Sequence, residues 1–159
     1  MFISIISTLI SCENNVSNSD KMNNQQIILK ADRIKIDSLK TELLKLEKGL
    51  TNFKFIGITS NGIDCIYFVF ENGKFNLEFE AMTLEQIPYI DKLREFATLN
   101  HFKSTMKTYN NKPHYTSDKY APVLRIESNS SIDEIVEIGR KIQIEIFKNY
   151  KETIYDVVP

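Results

Sequence analysis

Apolar and polar positions alternate along this chain with two different periods, and each change of period marks a new element. From Gln26 to Leu50 apolar residues recur at intervals of three and four. Leu29, Ile36, Leu39, Leu43, Leu46 and Leu50 fall on a and d positions of a heptad, with Asp32 the one polar interruption. That spacing predicts a helix with a single apolar stripe. The stripe has two uses: to pack on a sheet of the same chain, the simpler one, or to form a homodimer seam through helix 29–50. Gly49 stands where a left-handed residue ends a helix.

After Leu50 the period becomes two. The runs "NFKFIGIT", "CIYFVFE" and "KFNLEFEA" read as three strands joined by "SNGID" and "NG". Asn72-Gly73 between strand-like runs signals a tight hairpin, because both residues tolerate positive φ. The middle strand is apolar on both sides and is expected at the centre of the sheet, with Cys65 a small buried residue. Phe75, Leu77 and Phe79 alternate with Asn76, Glu78 and Glu80, which predicts one wet face on the third strand.

Helical spacing returns in "TLEQIPYIDKLREFATLNHF", where Ile87, Ile90, Leu93, Phe96 and Ala97 share a face. This helix opens either on a Thr83–Gln86 capping box or at Pro88. "FKSTMKTYN" and "VLRIE" read as two more strands, separated by a polar loop from Asn110 to Ala121. Ser131 and Glu134 stand at capping-box spacing before a last helix, lined by Ile135, Ile138, Ile142 and Ile146. The terminal "TIYDVVP" is β-prone and is expected to pair on a sheet edge or to hang free.

The expected fold is α+β and two-layered: an antiparallel or mixed five-stranded sheet with helices on one face, in the order α-β-β-β-α-β-β-α, forming one domain over 26–159. From Gln26 to Tyr150 this order of elements resembles that of the type III secretion chaperone-like fold. The resemblance is one of topology and implies peptide or protein binding, in a cytosolic setting.

Composition narrows the functions. Net charge is −1 with acids and bases interspersed, so no basic patch points to nucleic acid. Five Gly and no Trp leave little for phosphate loops or aromatic cages. The two histidines, His101 and His114, and two cysteines, Cys12 and Cys65, lack metal-ligand spacing. No cofactor and no metal are expected. His101 falls at a helix end, where it complements the dipole. Acid pairs such as Asp133-Glu134 and Glu78/Glu80 sit at a helix start and on a strand face, positions that carry no catalytic specificity.

The first residues add a location. "FISIISTLI" is apolar but far shorter than the roughly 20 residues a spanning helix needs. It has the length of a signal-peptide core. It ends in Leu9-Ile10-Ser11-Cys12, which resembles the lipobox of bacterial lipoproteins, although no Lys or Arg precedes the apolar run. The resemblance implies a signal peptide over 1–11, a lipid on the Cys12 thiol and attachment to the cell envelope. The polar, Asn- and Ser-rich stretch over 12–25 then reads as a flexible tether. Without such a leader the chain would be cytoplasmic.

The expected function is a lipid-anchored, non-catalytic envelope protein that binds a protein or peptide, with a toxin-immunity protein as one form of it. His114, Tyr115 and Tyr120 are the expected partner contacts, since aromatic residues give large contact area at low entropic cost. The alternatives are a small-molecule or envelope-ligand binding module, or a hydrolase whose site the sequence does not display.

Overall fold

The structure, a computed structural model, describes residues 32–114 and 117–158, and the side chains of these except 108–120. The class is α+β, as expected, but the sheet has seven strands rather than five. In chain order the elements are β1 (Arg33–Lys35), α1 (Leu39–Glu47), β2 (Phe55–Thr59), β3 (Ile66–Glu71), β4 (Lys74–Glu80), α2 (Ile87–Leu99), β5 (Lys103–His114), β6 (Ser117–Ser130), α3 (Ile132–Lys141) and β7 (Ile154–Val158). A 3₁₀ turn, Ile36–Ser38, leads into α1, and a π-helical turn, Ile142–Ile146, follows α3. All pairings are antiparallel, in the order β1-β7-β2-β3-β4-β6-β5.

The long first helix is corrected. The described part of 26–50 begins with strand β1, and only Leu39–Glu47 is α-helical. The middle of the apolar stripe survives this change: Ile36, Leu39, Leu43 and Leu46 are all buried in the chain's own core, whereas Leu50 is exposed and Leu29 lies outside the described residues. This part of the stripe packs on the sheet, the simpler of the two uses its spacing allows. Gly49, at φ 66, closes the helix as expected, with the Leu50 N–H donating to the Lys45 carbonyl at 2.8 Å.

Strands β2 to β4 follow the sequence pattern. Asn72 (φ 53) and Gly73 (φ 74) form the tight turn between β3 and β4. β3 is the middle strand of the seven, and its Phe68 is wholly buried. Register places Ile56, Phe68 and Leu77 side by side on one face. Against that face pack Leu39 and Leu43 of α1, Leu93 and Phe96 of α2, and Ile135 of α3. Contact is close at Gly139, where a Cβ would stand 2.8 Å from the Phe68 ring.

α2 opens at Ile87 with Pro88 in its first turn. The Gln86 side chain braces this start, accepting from the Met82 and Thr83 N–H groups at 2.7 and 3.0 Å and donating to the Gly62 carbonyl at 3.0 Å. α3 carries the expected capping box: Ser131 Oγ accepts from the Glu134 N–H, and the Glu134 carboxylate accepts from the Ser131 N–H at 2.8 Å. β7 neither hangs nor lies on an edge. It enters between β1 and β2, with Tyr155 buried in the core. No helix among the described residues is long and apolar enough to cross a membrane.

Candidate functional site

The segment expected as a loop over 110–121 is strand on both sides of residues 115–116, and this corrects the expectation. β5 runs to His114 and β6 starts at Ser117, with Pro113 opposite Tyr120 and His114 opposite Ser117. Pro113 and Pro122 obscure the strand signal, yet an outermost hairpin tolerates proline because its outer N–H groups need no ladder partner. The last rung between β4 and β6 is Glu80 with Val123, and the Ala81 N–H adds a bond to the Pro122 carbonyl at 3.0 Å. Past that point β6 continues to pair with β5, so the hairpin outruns β4. The register shifts twice along the arm, between Thr108 and Pro113 and again between Pro113 and His114, which marks irregular pairing there. His114 and Tyr120 thus stand on one two-stranded arm. Tyr115 and Cys12 lie outside the described residues.

The face of the sheet opposite the helices carries a charged network that sequence reasoning missed. Arg125, on β6 and mostly buried, donates to Glu78 Oε1 at 2.8 Å and to Glu71 Oε2, while Lys107 Nζ lies 3.3 Å from Glu78. Burial works against the Arg125 charge, but the two carboxylates outweigh it and hold its pKa above the ordinary value. The signal was the alternation of Glu78 and Arg125 with apolar neighbours, which marks a second face without saying who meets whom across it. Asn76 is buried rather than wet, and its Oδ1 accepts from the Asn129 N–H at 3.0 Å. The wet face expected on the third strand is therefore a packed polar layer, with Glu78 and Glu80 half-buried in it.

Beside this network lies an aromatic run. Phe53 stacks on Phe55 with centroids 5.4 Å apart, and Phe55 meets Tyr67 edge-on at 5.7 Å. The Tyr67 ring crosses Gly57, where a Cβ would stand 2.8 Å from it, so glycine on β2 makes room for the ring. Cys65, just before β3, is a free and half-buried thiol. Burial pushes the thiol up to about 11, and the charges of Asp64 and Glu80 add to the rise. It stays protonated at neutral pH, and a protonated thiol is a poor nucleophile. Tyr67 is raised likewise, first by its burial.

A densely bonded carboxylate, Asp64, is structural. The Asp64 carboxylate accepts from Thr59 Oγ1 at 2.6 Å, Ser60 N at 2.8 Å, Ser60 Oγ at 2.6 Å and Asn149 Nδ2 at 2.6 Å. Gln143, in the π-helical turn, donates to the Asp64 carbonyl at 3.0 Å and accepts from Asn149 at 2.9 Å. This knot ties the β2–β3 turn to the segment that feeds β7. Burial alone would raise the Asp64 pKa, but the donors from Ser60, Thr59 and Asn149 outweigh it and hold the carboxyl below its ordinary range.

His101 takes the left-handed position after α2, at φ 59, and the following Phe102 N–H reaches back to the Ala97 carbonyl at 2.8 Å. Among the described residues no group of three or more His, Cys, Asp or Glu is placed to hold a metal ion. Comparison with protein-family models, with curated proteins and with solved structures finds no match to this chain.

Proposed function

We propose that this chain is a lipid-anchored, non-catalytic protein of the bacterial cell envelope that binds a protein partner through the β5–β6 arm. The observation that carries the reading is the length of that hairpin, whose β5–β6 pairing runs past the last rung with β4 to His114 and Ser117. A two-stranded ribbon buries little surface by itself. Contact with a partner supplies the area it lacks, either through its aromatic residues or by strand pairing along the β5 edge. Between Tyr109 and Tyr120 the sequence supplies three tyrosines, His114, Lys112 and Lys119. The resemblance of Leu9-Ile10-Ser11-Cys12 to a lipobox supports the location.

A toxin-immunity protein is the form of this function we favour, since a small anchored binder is placed to meet a toxin as it arrives. The test screens the chain against secreted toxins, starting with any encoded beside its gene. Cells carrying the chain should survive one such toxin when it is directed to the periplasm. Replacing His114, Tyr115 and Tyr120 together by alanine should abolish survival and weaken binding of the purified toxin at least tenfold, while circular dichroism remains that of the wild type. Unchanged binding by a folded triple variant refutes the arm as the contact. Survival lost equally with and without the chain refutes the immunity role.

A further inference from the structure

We draw no further inference here: the strongest candidate, the open groove of about 660 Å³ between the end of α1 and the β3–β4 turn, lined by Leu46, Gly49, Phe53, Lys54, Phe70 and Asn72, is an unpartnered part-apolar surface, and nothing in the structure shows what covers it.

Discussion

Gly139→Ala sets two magnitudes against each other. Alanine is favoured over glycine inside a helix by about 1 kcal/mol. On α3 that gain meets the sheet directly. A Cβ at residue 139 would lie 2.8 and 2.9 Å from Cζ and Cε1 of Phe68 and 3.3 Å from Cδ2 of Leu39. Carbon atoms in good contact sit about 3.5–4.0 Å apart. The ring would therefore have to retreat by roughly 0.7 Å or more. Phe68 has no free space to retreat into, because it is wholly buried between Ile56 and Leu77 on neighbouring strands. Overpacking of this kind costs about 1–3 kcal/mol, so the clash outweighs the helical gain and the net loss is about 1 kcal/mol. For a domain of this size that lowers Tm by roughly 3–6 °C. Thermal and urea unfolding followed by far-ultraviolet circular dichroism reads the change. The control is the same substitution in a Phe68→Leu background, where Cε1 and Cζ are gone and alanine should regain its helical advantage, a coupling the double-mutant cycle measures directly. A Gly139→Ala protein that melts at or above the wild type, with Phe68 intact, refutes the close packing of α3 on β3.

Phe68→Ala should cost about 3–5 kcal/mol in urea unfolding, since the ring is fully enclosed at the centre of the sheet; a loss below about 1 kcal/mol would show that β3 is not central. Asp64 predicts an acid limb in stability. Its folded pKa lies below the unfolded value, so its contribution is complete above the ordinary carboxylate range and disappears as pH falls through the depressed pKa. Asp64→Asn should flatten that limb and cost about 1.5–3 kcal/mol at neutral pH, and an unchanged pH profile in the variant would contradict the knot. Cys12→Ser, in a full-length chain, should abolish incorporation of labelled palmitate and release the protein from the membrane fraction, whereas a soluble and unlabelled wild type would remove the anchor from the proposed function.

Some of this protein is written in short-range pattern. The β3–β4 hairpin follows from Asn72-Gly73, because positive φ at two successive residues is a local property of those residues. The α3 capping box follows from Ser131 and Glu134 for the same reason, and the α1 stripe from the spacing of Leu39, Leu43 and Leu46. These features need no knowledge of the rest of the chain. The candidate site was legible only in part: the residues of the arm stood out as aromatic and polar, but their two prolines disguised paired strands as a loop.

What the tertiary structure alone decided is long-range. β1 is three residues long and carries no alternation that a sequence reading can find, and it exists as a strand because β7 returns to pair with it. β7 lies inside the sheet rather than at its edge because the Asp64–Gln143–Asn149 knot delivers the chain to the gap between β1 and β2. The network of Glu71, Glu78, Lys107 and Arg125 joins residues up to 54 positions apart. Pattern fixes which side of a strand each of them occupies. Strand order, which only the packed sheet determines, fixes their neighbours and so their ion pairing and burial.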